Sequence, residues 1–351
     1  MSKGSFSTAT QTILVALSLL ALGIILWRTA EVVVIAFGGI VVATLLRALA
    51  HPLHRFKRLS DHARVTIALC SLLAILGALF WLFGRQVTAQ ADELRQLVPQ
   101  QVGHIADWLN QTAWGHSLVQ AMRTSARDSQ ALGGLGLAAI TAAGATLEII
   151  LILFLGVYFA YDPIFYLEGA LRIFPLNQRE RVRLAMLNAG DSLRRWLLAQ
   201  VVAMGIVGIM AGAMLAVLGV PLALVLGALA ALFEFIPVVG AFLFGIPGIV
   251  VAFSRGPKVA VYAAIGYIAV QQLESNLIIP LLQRWAVKMP PVVGLLAVVA
   301  AGILLGPAGI VFAAPLAVVA MALINQLYVK GTLEKSRSQD PSHPIEGKTP
   351  G

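Results

Sequence analysis

Long apolar blocks alternate with short charged segments along this chain, and that alternation restricts its fold more than any other feature. Gln11–Trp27, Val32–Ala50 and Val65–Gly84 are the first three blocks. A hydrocarbon core of about 30 Å takes about 20 residues of helix, so each block is a candidate span. Charged residues make up 12% of the chain and hydrophobic ones 59%. Soluble domains carry about 25% charge, so lipid rather than water is the expected solvent. The fold class expected is all-α: a polytopic transmembrane helical protein of about eight membrane segments.

The net charge of +9 invites a nucleic-acid reading. The basic residues, however, stand in short loops beside apolar runs, where they set membrane orientation. No nucleic-acid partner is expected. The first block exceeds a typical secretory h-region and lacks an Ala-x-Ala-like exit, so it is expected to be retained. Cys70 lies inside an apolar run and reads as a small buried hydrophobe, with no disulfide framework. Arg47 interrupts the second span near its end, from where it can snorkel to an interface.

Charge distribution sets a topology. Arg55, Lys57, Arg58 and Arg64 face only Asp61 between the second and third spans, which makes that loop cytoplasmic. Residues 1–84 form a three-helix membrane region with a cytoplasmic N-terminus. Residues 85–134 are an outer amphipathic helical segment, with Leu94, Val98, Val102, Ile105 and Leu109 at helical spacing. A fourth span covers 135–161. Cytoplasmic amphipathic helices follow over 162–196, with Asn177 and Glu180 spaced as a capping box. There Val182, Met186, Ala189, Leu193 and Trp196 share one apolar face. That helix is expected to run directly into the next span, Leu197–Leu218.

Residues 197–330 form the expected transport core, and 331–351 an unstructured cytoplasmic tail. Pro221 and Pro237 stand sixteen residues apart, as do Pro291 and Pro307. Gly240 and Pro247 follow the first pair; Gly309 and Pro315 follow the second. Each unit reads as an apolar half, a break and a second apolar half. A half of 15 residues rises only about 22 Å, short of a bilayer core. Residues 222–253 and 291–329 are therefore expected as re-entrant hairpins, although Gly309–Val329 could span alone. With Lys258–Glu274 as the span between them, the two span-plus-hairpin units have inverted topology, a pattern of secondary transporters. The small residues Gly208/Gly212 and Gly302/Gly306 read as helix-packing pairs.

Broken helices expose backbone groups that lipid cannot satisfy, so breaks mark protein-lined or watery surroundings. Glu234 stands beside such a break, Pro237 to Gly240. A carboxylate at membrane depth costs about 2.5–3.5 kcal/mol, so Glu234 must be protonated, paired or facing a polar pathway. A purely structural carboxyl bonded to the broken backbone is the alternative. A second polar cluster, Gln271, Gln272, Glu274, Ser275 and Asn276, precedes Pro280. On a helix Gln271 and Glu274 share one face, and Gln272 and Asn276 another. Such faces could hold a small polar solute or a cation, or simply form a hydrated helix end. Gly306, Pro307 and Gly309 complete the expected pathway, and Glu148 is a further proton-relay candidate. No phosphate-binding loop, metal-ligand set or nucleophile motif is present, and His51 and His54 read as ordinary interfacial residues. Neither an enzyme nor a cofactor is expected.

Several of these residues together resemble the autoinducer-2 exporter family of bacterial membrane proteins. The resemblance rests on Arg195-Trp196 with Gln200, Gly219-Val220-Pro221, Leu226-Gly227 and Glu234 through Gly240. It continues in Glu274, Asn276 and Pro280, the basic segment before Pro290, Gly306 with Gly309, and Ala314-Pro315. It implies export of a small polar signalling molecule across the bacterial inner membrane, while some relatives are linked to sodium/proton exchange. Where family members often have a Gly-rich basic turn with a His, this chain has Gln283-Arg284-Trp285 and Lys288-Met289-Pro290. That departure bears on the substrate, not the fold. The leading expectation is an ion-coupled secondary exporter. A sodium/proton antiporter, a passive channel formed by the hairpins and a non-transporting scaffold are the alternatives. Expected partners are membrane lipid and a small polar solute or cation; self-association into a homo-oligomer stays open.

Overall fold

The computed structural model describes residues 32–56, 59–74, 77–78, 81, 134–236, 239–287 and 289–328. The expected first span, the outer amphipathic segment and the C-terminal tail lie outside the described residues. Within them all regular structure is helical. Helix α1 covers 32–50 and tightens into a 3₁₀ turn at His51–Arg55. Helix α2 starts at 61 and runs through 74. Helix α3 is Gly134–Tyr161 and α4 is Pro163–Leu171. Helix α5, Arg179–Val217, is one continuous rod, as the sequence predicts.

Among the described residues three helices are long and apolar enough to cross a membrane: Val32–Leu53, Arg179–Val217 and Val292–Tyr328. The pair Thr146–Tyr161 and Pro163–Leu171, bent by 92°, makes a fourth if it counts as one span. Their outward faces are apolar: Ile209 is 74% exposed and Val217 87%. Clusters of exposed apolar side chains this extensive belong against lipid. The bend at 161–163 has a local cause, because Pro163 disfavours helical torsions at Asp162 (φ −128°, ψ 62°).

Helix α5 begins later than the sequence predicts. Asn177 does not cap it; Gln178 precedes the first turn and no side-chain cap bond forms. A turn closed by Gln178 N–H on the Pro175 carbonyl (3.0 Å) takes up this stretch. Arg179 holds the turn by donating from Nε to the Phe174 carbonyl (3.0 Å). The apolar stripe is as expected, with Val182, Ala189, Leu193 and Trp196 buried. Cys70, by contrast, is exposed on α2, which has few described neighbours on that side.

At its far end α5 closes with a Schellman motif. Gly219 adopts φ +66°, its N–H bonds the Ala216 carbonyl (3.0 Å), and Val220 N–H reaches the Leu215 carbonyl (2.9 Å). Leu222 then takes φ +65°, a left-handed conformation costly for a branched residue, before α6 (Ala223–Phe233). Leu222 is buried in the core, which holds it there. Helix α7 (Val239–Ala252) follows, then α8 (Pro257–Leu273). A π-helical turn at Glu274–Ile278 leads into the short α9 (Ile279–Gln283). Helix α10 is Pro291–Ile324.

Neither α6–α7 nor α10 is a simple span. Helices α6 and α7 fold against each other around Leu226, Ala230, Phe244 and Val251. Within α10, Gly306 has φ 67° and ψ −154°, outside helical space. Eight residues of straight helix would separate Ala301 from Gly309 by about 12 Å. Instead a Cβ on Gly309 would overlap the Ala301 carbonyl oxygen, and Ala301 clusters with Ala313. The chain therefore folds back at Gly306, and α10 is two arms. Gly306 is the hinge and packs against nothing, so the Gly302/Gly306 pair is not a helix-packing motif. The Gly208/Gly212 pair is one: an added Cβ on the facing Gly227 would lie 2.8 Å from both the Gly208 carbonyl oxygen and Gly212 Cα. Replacing Gly227 by Val should force α5 and α6 apart and cost about 1–3 kcal/mol. The check is the thermal unfolding midpoint in detergent, which should fall for Gly227→Val and stay near wild type for Gly205→Ala, where space is open.

Candidate functional site

The two carboxylates singled out in the sequence meet. Glu234 follows the last turn of α6, and Glu274 opens the π-helical turn after α8. They are 6% and 5% exposed, the charged side chains that are buried among the described residues. Their carboxyl groups are close enough to interact electrostatically. A carboxylate only accepts, so a hydrogen bond between two carboxyl groups needs a proton on one of them. Without it, two charges at about 4 Å would repel by about 4 kcal/mol at an effective dielectric constant of about 20. A proton shared by the two carboxyl groups, or a cation between them, removes that repulsion.

Each of the two residues has its own support. Gln271 Nε2 donates to Glu274 Oε2 at 2.8 Å, one turn back on α8. Gln200 Nε2, from α5, donates to the Glu234 main-chain carbonyl at 2.6 Å. That carbonyl sits at the end of α6, where the helix no longer supplies a partner. Trp196, one turn before Gln200, packs edge-on against Phe235 with ring centroids 6.1 Å apart. Two α5 side chains thus fix the break next to Glu234.

Proline explains the π-turn. Pro280 has no N–H to donate, and its ring crowds the carbonyl four residues earlier. The helix widens there, and Ile279 N–H bonds back to the Glu274 carbonyl. Such insertions occur often at functional sites. The rest of the second polar cluster points away from the pair. Asn276 Nδ2 donates to the Gln272 carbonyl (3.0 Å) and to its Oε1 (2.9 Å), and both residues are exposed. Ser275 Oγ donates to the Gln271 carbonyl at 2.9 Å. Pro280 is exposed on α9. Gln272, Asn276 and Pro280 therefore shape the helix, while Gln271 and Glu274 face the pair.

The two helix reversals adjoin. Gly240 is buried in the first turn of α7, where a Cβ would overlap the Phe233 carbonyl. Its neighbour Val239 packs on the cluster of Val298, Ala301 and Ala313 around the second reversal. Gly306 and Pro307 form the hinge of that reversal, and Gly309 seals its arms together. Pro237 lies outside the described residues. Glu148 is half-buried on α3, an element that carries neither member of the pair. No group of three or more His, Cys, Asp or Glu suited to a metal ion occurs among the described residues.

A buried carboxyl pair between two adjoining helix reversals, on a scaffold of lipid-facing helices, belongs to membrane transport. The family model of the AI-2E family transporters matches residues 14–329. The chain belongs to that family. It is a multi-pass membrane protein of a transporter family. "Putative transport protein MT0215" of Mycobacterium tuberculosis (strain CDC 1551 / Oshkosh) is 31% identical over 267 residues, 72% of this chain and 71% of the relative. "Putative transport protein YueF" of Bacillus subtilis (strain 168) is 30% identical over 202 residues, 57% of this chain and 55% of the relative. "AI-2 transport protein TqsA" of Escherichia coli (strain K12) is 31% identical over 143 residues, 40% of this chain and 42% of the relative.

In this AI-2E transporter two site residues escape sequence reasoning about chemistry. Gln200 belongs to the motif that carries the resemblance, yet its bond to a carbonyl thirty-four residues away has no local signal. Tyr267 lies on the α8 face that carries Gln271 and Glu274. It is 7% exposed, and its hydroxyl has no hydrogen-bond partner among the described residues. Gly248 on α7 leaves room for that hydroxyl. A tyrosine one turn before a glutamine in an otherwise apolar span was the available hint. Gln200→Leu should strand the Glu234 carbonyl and cost about 1–3 kcal/mol. Tyr267→Phe removes a hydroxyl with no partner and should leave stability unchanged or raised. Thermal unfolding of both variants in one detergent separates the two outcomes.

Proposed function

We propose that the chain is an ion-coupled secondary transporter that exports a small polar solute, with the Glu234–Glu274 pair as its coupling site. The observation that carries this reading is the buried carboxyl pair held beside two adjoining helix reversals. One proton satisfies the pair; when it leaves, a cation or a cationic group of the cargo takes its place. Exchange at such a site links proton movement to solute movement. The reversals between α6 and α7 and at Gly306 supply helix ends and irregular backbone, as a polar solute at membrane depth requires.

The arms of the first reversal are too short to cross. Helix α6 has 11 residues and α7 has 14, about 17 and 21 Å long at helical rise. In this reading the fold-back at Gly306 makes the second unit a re-entrant hairpin as well, each hairpin following a span, with inverted orientation. Arg284, Lys330, Lys335 and Arg337 then stand on the cytoplasmic side, with both termini. The membrane is the bacterial inner membrane. The name of the Escherichia coli relative, an AI-2 transport protein, supports autoinducer-2 or a similar small signalling molecule as cargo.

Flux measured in proteoliposomes tests the proposal, with autoinducer-2 and a panel of small polar solutes as cargo. Efflux should respond to an imposed proton or sodium gradient and drop to background in Glu234→Gln and Glu274→Gln. Flux indifferent to both gradients would remove the coupling role. Sodium uptake driven by a proton gradient without any solute would make the chain a sodium/proton antiporter instead. Unitary conductance steps in planar bilayers would mark a channel.

A further inference from the structure

Away from the carboxyl pair, a groove of about 770 Å³ opens between the end of α1, the start of α2, the α3–α4 elbow and the first half of α5. Ile40, Ala43, Val65, Phe159, Leu167 and Met186 give it an apolar body. Arg47, His51, Arg64 and Arg194 line it beside Asp61 and Asp191. Both acids are already engaged. Asp61 pairs with Arg64 at 2.6 Å, and Asp191 pairs with Arg195 one turn along α5. Arg47 donates from Nε to the Ala160 carbonyl at 2.9 Å and pairs with no carboxylate among the described residues. Arg194, half-buried, has no carboxylate partner among the described residues. The groove is thus cationic around an apolar floor.

Its position is interfacial. The elbow turns by 92°, so α4 lies along the membrane plane when α3 crosses it. The elbow is stapled: Thr66 Oγ1 and Tyr161 Oη lie 2.6 Å apart, and His62 Nε2 is 3.7 Å from Asp162. The walls are held in place by contacts of their own, so the groove is preformed.

We propose that this groove binds one anionic phospholipid. Its phosphate sits between Arg47 and Arg194, and an acyl chain lies on the apolar floor. A neutral lipid offers no net charge to the two guanidinium groups, and a free phosphate leaves the floor uncovered. Guanidinium–phosphate bonds are charge-assisted and can be bidentate, which suits this pair of arginines.

The test is native mass spectrometry of the full chain, released from nanodiscs of phosphatidylglycerol and phosphatidylcholine. The wild type should retain phosphatidylglycerol in preference to phosphatidylcholine. Arg194→Gln should weaken that retention about tenfold, as loss of one charged hydrogen bond does, and Arg194→Lys should restore part of it. Gly190 lines the groove with open space at its Cβ, so Gly190→Phe should block the lipid without disturbing the backbone. That variant decides the matter if Arg194→Gln does not fold. Undiminished phosphatidylglycerol retention in a folded Arg194→Gln or in Gly190→Phe would overturn the proposal. So would equal displacement by soluble glycerol 3-phosphate, which would make the groove a site for a free anion.

Discussion

The structure depends on one constraint: every main-chain N–H and C=O at membrane depth needs a partner from the protein, because lipid supplies none. Straight helices meet this by themselves. The break after α6 and the one at Gly306 do not, and the surrounding elements are arranged to compensate. Gln200 crosses from α5 to cap the Glu234 carbonyl, and Trp196 packs on Phe235 beside it. Glycines at 240 and 309 let backbone press on backbone where any side chain would collide. The long α5 works as the post against which the first break is secured.

The same constraint accounts for the carboxyl pair. Two acids buried together are costly unless a proton or a cation sits between them. Their neighbours do not neutralise them: Gln271 contributes an amide hydrogen bond, and the surrounding packing is apolar. In the proposed reading the pair stays responsive to whichever positive species arrives. A salt bridge at this place would have ended that competition, since a fixed guanidinium would occupy the oxygens permanently. The π-turn at Glu274–Ile278 adds to the arrangement by separating two faces of one helix. Gln271 and Glu274 face inward, while Gln272 and Asn276 satisfy each other outside.

Much of this was legible in the sequence because it rests on local rules. Apolar blocks, proline spacing and charge asymmetry report helix positions, and Glu234 and Glu274 stood out as acids in apolar surroundings. The expected face-sharing of Gln271 with Glu274 and of Gln272 with Asn276 is present as hydrogen bonds. Other readings missed for identifiable reasons. Asn177 had the right spacing for a cap, but the turn closed on Pro175 takes it up. Gly302 and Gly306 had the spacing of a packing pair, yet spacing cannot distinguish a glycine that packs from one that bends. Cys70 was expected inside because apolar neighbours usually mean burial, and in lipid they do not.

The sequence by itself determined that the chain is helical, that it dissolves in lipid and that two of its apolar segments break. Those properties follow from hydrophobicity, helical rise and the chemistry of proline and glycine, which act over a few residues. The tertiary structure decided that Glu234 and Glu274 are buried close together, that Gln200 caps the first break and that the two reversals adjoin. Tyr267 and the groove arginines Arg47 and Arg194 likewise acquired meaning only from position. Contacts between residues far apart in the chain are set by which helices pack together, and no local pattern encodes that choice.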